Sequence, residues 1–207
     1  MSDQVAQEIK KMNPLPTGEI CPNVFAINNE FVNFFLIKLP EAGKFVAIDF
    51  GANNETTISQ LKNLNIDPAD ICAVLLTHTH GDHTASLALF DADIYAYETD
   101  SDELSAAAYT KVADGDVLDI HGLSVKCIHT PGHADNHVSY LVNNEILFAG
   151  DALSLKDGQA YLFNSFFNKN DDMQKEDIRK LSEIAGVKYV ISSHYGYVDG
   201  SVVVGAL

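Results

Sequence analysis

The stretch Thr77-His78-Thr79-His80-Gly81-Asp82-His83 places four candidate metal ligands within six residues. It follows the apolar run ICAVLL, so it leaves the end of a buried strand. In an extended backbone residues i and i+2 face the same way, so His78 and His80 can grip one cation. Asp82 and His83, beyond the glycine, can turn toward a second. Imidazole nitrogens with a carboxylate suit zinc, with iron and manganese as alternatives. Three further pieces share this placement. IHTPGH carries His133 past a Pro-Gly turn, FAGD ends an apolar run at Asp151, and VISSH ends another at His194. Such ligands can project from one edge of a pair of sheets, where strand ends hold them rigidly.

The elements that must position them are short. Residues 24–27, 34–38, 45–49, 71–78 and 93–97 read as strands, with turns at 28–30, 41–44 and 67–70. Thr56 is placed to cap a helix over TISQLKNL; residues 84–90 and 100–108 read as helical. In the second half, 117–120 and 123–129 form a hairpin across His121-Gly122, and 138–142 and 145–149 pair across Asn143-Asn144. A helix over 172–185 ends at Gly186 in the C′ position, followed by a last buried strand at 187–193. Strands outnumber helices on both sides of the middle. That order predicts two sheets packed inside helices, in one domain over 1–207, rather than a doubly wound parallel sheet.

Composition narrows the function. The chain has 207 residues, 46% hydrophobic and 20% charged, enough to bury a sizeable core. It carries 13 basic against 29 acidic residues, a net charge of −16, and Arg179 is its only arginine. Nucleic acid needs clustered Lys and Arg, so a polyanionic partner is not expected, nor is an anionic membrane surface. No apolar run is long enough for a span and the start lacks an apolar leader, so a cytoplasmic location is the expectation. Cys21, Cys72 and Cys127 are odd in number and far apart, which predicts inert thiols rather than a disulfide framework or cysteine metal site.

The HxHxDH run, the TPGH turn, the AGD and the late histidine, in this order, resemble the metallo-β-lactamase fold superfamily over about residues 24–198. Asp49-Phe50-Gly51 is similar to that family's first motif, whose aspartate braces the metal loop. The resemblance implies an α/β (α+β) fold, a four-layer αββα sandwich of two mixed β-sheets flanked by helices. It implies His78, His80 and His133 on a first metal ion, Asp82, His83 and His194 on a second, and Asp151 bridging both. An aspartate at 151 resembles the glyoxalase II-like, lactonase-like and phosphodiesterase branches rather than the cysteine-containing β-lactamases. Two features depart from the family pattern: Thr84-Ala85-Ser86 replaces the usual Gly-Gly, and Ser193-His194-Tyr195 replaces Gly-His-Gly. The chain ends at Leu207 without the helical glutathione-binding segment, so full glyoxalase II is not expected.

The expected function is hydrolysis of a small ester-type substrate, a thioester or lactone, by hydroxide held between two divalent ions. Zinc is the first choice of metal. Asp82, besides ligating, is the expected catalytic carboxylate that orients the hydroxide and passes its proton on. β-Lactam or small phosphodiester hydrolysis are alternatives within the same chemistry. An iron-containing redox protein, or a metal-binding protein without activity, is the alternative of another class. His129 and His137 are expected to hydrogen-bond outside the ligand set, and His121 to be solvated. Lys156, Tyr195 and Tyr197 are weighed as cleft residues.

Overall fold

The computed structural model describes residues 2–41, 43–98, 104, 108–205 and 207. Its first sheet has seven strands in sequence order: β1 (Gly18–Cys21), β2 (Val24–Asn29), β3 (Val32–Lys38), β4 (Phe45–Ile48), β5 (Ile71–Leu75), β6 (Asp93–Tyr97) and β7 (Thr110–Val112). The pairs from β1 to β4 are antiparallel and those from β4 to β7 parallel. The second sheet is built from β8 (Val117–Ile120), β9 (Leu123–His129), β10 (Val138–Val142) and β11 (Ile146–Gly150), joined by β14 (Tyr189–Ser192) and β15 (Gly196–Asp199). Only the β11–β14 pair in it is parallel. A small third sheet joins β12 (Ser154–Lys156), β13 (Gln159–Tyr161) and β16 (Val203–Val204).

Strand alternation explains the layering. In β3 every residue from Val32 to Ile37 is buried, because each face has a partner. Phe35 and Ile37 join Tyr140, Phe148 and Ile191 of the second sheet in the central core. Phe34 and Leu36 face the other way, packing with Leu61 of α2 (Asn54–Asn63). The second sheet mirrors this: Leu141, Leu147 and Val190 pack outward on Ile178 and Leu181 of α4 (Asp171–Ser182). The result is helix, sheet, sheet, helix, the four-layer αββα sandwich of mixed sheets. Tyr140 ties the inner layer together, its buried hydroxyl donating to Leu76 O at 2.8 Å.

Both expected hairpins form, and His121, Gly122, Asn143 and Asn144 all take positive φ. The first has the expected two-residue loop. In the second Val142 pairs with Ile146, so Glu145 joins Asn143 and Asn144 in a three-residue loop and the strand starts at 146 rather than 145. Several boundaries differ from expectation. Asn53, not Thr56, caps α2, its side chain accepting from Thr56 N, so the helix starts at Asn54. The asparagine offers a shorter, better-directed acceptor than the threonine inside the first turn. The expected helix at 84–90 is two short turns, α3 (Gly81–Thr84) and a 3₁₀ turn at Leu87–Leu89, because the ligand run itself supplies the first. α4 stops at Ser182 with Glu183 as C-cap, so Gly186 lies beyond the C′ position and serves the following turn. The 100–108 helix falls largely outside the described residues. Composition also gave no hint of the N-terminal helix α1 (Asp3–Ile9), whose cap is Ser2, nor of β1, β7, β12, β13, β15 and β16. The three cysteines are free, and burial pushes the thiols of Cys21 and Cys127 up to about 11 and about 12. No described helix is long and apolar enough to cross a membrane.

Candidate metal centre

Asp49, just past β4, is fully buried and takes φ of 61°, a left-handed conformation that aspartate tolerates better than most side chains. That twist turns its carboxylate onto the loop after β5. One oxygen accepts from Thr77 N at 2.7 Å; the other accepts from Thr77 Oγ1 and His83 Nδ1, each at 2.9 Å. The bracing role expected of Asp49 thus has its geometry.

The same logic fixes the histidine tautomers. Thr77 spends its hydroxyl proton on Asp49, so its oxygen accepts from His78 Nδ1 at 3.0 Å. His83 Nδ1 donates to Asp49, His194 Nδ1 donates to Phe31 O at 2.7 Å, and His133 Nδ1 donates to Asn168 Oδ1 at 3.1 Å. Each of these four rings is oriented through Nδ1 and turns its Nε2 inward. Metal-ligating histidines are held in this way. His80 differs, presenting Nδ1 at 3.0 Å from both His78 Nε2 and His133 Nε2.

Three groups of ligand atoms converge: His78, His80 and His133; His78, His83 and Asp151; Asp82, His83 and His194. Asp151 Oδ2 stands between them, 3.4 Å from the Nε2 atoms of both His133 and His194 and 3.5 Å from that of His83. Asp82 Oδ2 lies 3.3 Å from His194 Nε2. The buried atoms His83 Nε2, His194 Nε2 and Asp151 Oδ1 have no hydrogen-bond partner among the described residues. Orphaned polar atoms at this depth are costly unless something else satisfies them. Nitrogens around one tetrahedral zinc, at Zn–N of about 2.0–2.1 Å, sit about 3.3 Å apart, close to the spacing of the first trio. The donor set therefore fits divalent metal.

Electrostatics divides the cluster. Burial pushes His78 well below the usual imidazole range and His133 down to about 4, so both stay neutral. Burial would also lower His83 and His194, but the carboxylates of Asp151 and Asp82 outweigh it, raising His83 well above the usual range and His194 to about 9. Reciprocally, burial would raise Asp82, but His83 and His194 hold its carboxyl down at about 2. The carboxylates are thus ionised and matched to cationic charge, the role a second metal ion would take over.

His137 lies beside the cluster but outside it. Its Nε2 accepts from Asp151 N at 3.0 Å and its Nδ1 donates to Thr130 Oγ1 at 2.8 Å, so neither nitrogen is left for metal. A Cβ on Gly150 would stand 2.7 Å from His137 Nε2, and Gly150 takes φ of 57°, so only glycine lets Asp151 reach the cluster. His129 is remote, stacked on Tyr97 at 4.1 Å and donating through Nε2 to Asp135 O. Lys156 is exposed on β12, while Tyr195 and Tyr197 pack against the two cores beside the second sheet; none of the three lines the cavity over the cluster. Thr84-Ala85-Ser86 gives Ser86 to a buried network with Thr57 and Asn29, and Ser193 O accepts from Asn33 N at 2.7 Å.

Sequence reasoning missed the supports contributed by α4 and the loop before it. Gln174 Nε2 donates to Asp151 O at 2.9 Å, and its Oε1 accepts from Asn168 Nδ2 at 2.7 Å, holding the residue that orients His133. The density of asparagines in NSFFNKN was the available signal. The TPGH turn rests on α4, with Gly132 N donating to Asp177 Oδ2 at 2.7 Å. A Cβ on Gly132 would stand 2.3 Å from Gln174 N, which is why the turn needs glycine. Burial pushes the Asp177 carboxyl up to about 6 against the pull of Gly132 N and Lys180. A raised folded-state pKa contributes stability that is complete below about pH 4 and is lost as pH rises through about 6. Asp177→Asn keeps an acceptor for Gly132 and should flatten that slope, leaving the variant at least as stable as the parent at neutral pH. Thermal unfolding across the same pH range checks it, and an unchanged slope would assign the titration elsewhere.

Residues 27–194 match the Metallo-beta-lactamase superfamily. A hydroxyacylglutathione hydrolase of Francisella philomiragia subsp. philomiragia is 44% identical over 87 residues, 39% of this chain and 33% of that protein. An atrochrysone carboxyl ACP thioesterase of Claviceps purpurea is 35% identical over 101 residues, 45% of this chain and 30% of that protein. The aligned stretches span about a third of the length of these curated relatives. Among solved structures, a metallo-beta-lactamase family protein of Thermus thermophilus superposes with a TM-score of 0.68 at 19% identity, covering 87% of this chain and 76% of that one. Superposition at that identity speaks for a shared fold, and the match over 27–194 carries the family: the chain belongs to the metallo-β-lactamase superfamily.

Proposed function

We propose that this protein is a metal-dependent hydrolase that holds two divalent ions, zinc first, and cleaves a small thioester or lactone. His78, His80 and His133 would hold one ion, Asp82, His83 and His194 the other, with Asp151 shared. The observation that carries the reading is the set of inward-facing Nε2 atoms, each fixed by an acceptor on its own Nδ1, around the buried carboxylate of Asp151, whose Oδ1 has no hydrogen-bond partner among the described residues. Bound divalent ions supply Lewis acidity and make water a nucleophile at neutral pH.

The chain's own residues do the rest. Asp82 faces the cavity with its carboxylate ionised, so it can orient the attacking water and take its proton at Oδ2. Asp49, Asn168 and Gln174 hold the ligands still, which keeps reorganisation out of the reaction. Residues 1–207 are read as one such domain. A thioester or lactone substrate is favoured by the thioesterase named in one relative's description and the hydroxyacylglutathione hydrolase named in another. The test is a panel of thioester, lactone, β-lactam and phosphodiester substrates against zinc-loaded and chelator-stripped protein. Thioester or lactone turnover that vanishes on stripping and returns with zinc is expected. Turnover unaffected by stripping, or confined to the other two classes, would overturn the assignment.

A further inference from the structure

We propose that the cavity over the ligand cluster selects substrates with an apolar acyl group and no anionic group, and that the N-terminal helix α1 is the selecting wall. The inference rests on the hydrolytic reading for its substrate but not for its pocket chemistry. The cavity has a volume of about 410 Å³, room for a small organic molecule. Away from the ligands its walls are Val5, Ile9, Met12, Phe31, Phe163 and Phe167. Among the described residues, the one charged side chain on these outer walls is Glu30, and neither lysine nor arginine lines the cavity.

α1 buries none of its residues, so Val5 and Ile9 present apolar surface that a bound acyl chain would cover. The segment is nonetheless anchored. Glu8 accepts from Asn164 Nδ2 at 2.8 Å, and Asn13 N donates to His194 O at 2.9 Å. Leu15 N donates to Asn33 Oδ1 at 2.7 Å, while Leu15 O accepts from Asn28 and Asn33, each at 2.9 Å. The helix is therefore held against the same backbone that carries a ligand histidine, and its wall is in register with the ligand cluster. Of the nearby lysines, Lys11 pairs with Glu8 and Lys169 with Asp135, and Lys10, the C-cap of α1, does not line the cavity. A carboxylate or sulfonate placed against these walls would lose water without gaining a partner, and Glu30 would repel it. Glutathione thioesters, which carry carboxylates at both ends of the leaving group, are disfavoured on this ground.

Two dyes of one scaffold test the pocket directly: neutral N-phenyl-1-naphthylamine and its sulfonate, 8-anilino-1-naphthalenesulfonate, titrated by fluorescence into the zinc-loaded protein. The neutral dye should bind at least about tenfold tighter, although the ions favour the anion. Ile9 is only partly buried and α1 buries none of its residues, so Ile9→Asp should keep the fold and its zinc while weakening the neutral dye about tenfold. Glu30→Lys should tighten the sulfonate by a similar factor. Equal or tighter binding of the sulfonate to the parent protein, or a neutral-dye affinity unmoved by Ile9→Asp, overturns the proposal. In parallel, the hexanoyl thioester of N-acetylcysteamine should have a kcat/KM at least about tenfold above that of 3-mercaptopropionate. Failure of both thioesters with the dye result intact would sink the hydrolytic reading and leave the pocket's selectivity standing; a reversed preference between them would sink the selectivity alone.

Discussion

Replacing Asp151 with alanine is expected to release both ions together. Its Oδ2 is within 3.4–3.5 Å of His133, His194 and His83, so it touches both halves of the cluster. It is also one of only two carboxylates in the set. Without it, four positive charges would rest on five imidazoles and Asp82 in a buried pocket, with no matching charge at the centre. Four of the five imidazoles remain in place, because the Nδ1 anchors of His78, His83, His194 and His133 are Thr77, Asp49, Phe31 and Asn168 rather than Asp151. The loss should therefore appear as metal, not as unfolding. Metal catalysis is worth several kcal/mol, so kcat/KM should fall by about 10³-fold or more. Dialysis of the variant beside the parent, followed by elemental analysis, decides the matter. Retention of one tightly held ion would show that Asp151 serves a single site.

Asp82→Asn separates ligation from proton transfer. The amide keeps the shape and one oxygen, but it cannot carry the negative charge that His83 and His194 stabilise in the carboxylate. A lost general base costs about 10²–10⁴ in rate, and that range is expected in kcat. The readout that distinguishes the catalytic role is metal content at saturating zinc. Full occupancy with depressed kcat assigns Asp82 to proton handling, whereas full occupancy with unchanged kcat would remove it from the chemistry.

How much of this was legible in the sequence follows from how local each signal is. His78, His80, Asp82 and His83 sit in one run, so their spacing alone marked them as candidate ligands, and the structure brings them together. His133, Asp151 and His194 were legible because each follows an apolar strand, and strand ends meet at one sheet edge. The buried strands showed for the same reason: β3, β5 and β11 are apolar on both faces because each separates two cores. Contacts that need the fold were not legible. Asn168 and Gln174 stand 35 and 23 residues from the ligands they support, and nothing in their local sequence names His133 or Asp151. α1 was missed because it buries nothing, so it carries no strong apolar stripe. The helix starts shifted, by three residues in α2 and one in α4, because Asn53 and Asn170 serve as the N-caps.

The central claim is a cluster built for two ions around one shared carboxylate. It is tested most directly by the zinc bound per chain in the parent protein, after saturation with zinc and removal of the excess. Close to two ions per chain are expected, because the trios His78, His80, His133 and Asp82, His83, His194 lie on either side of Asp151. One ion at saturation, with no second bound under excess zinc, would contradict it.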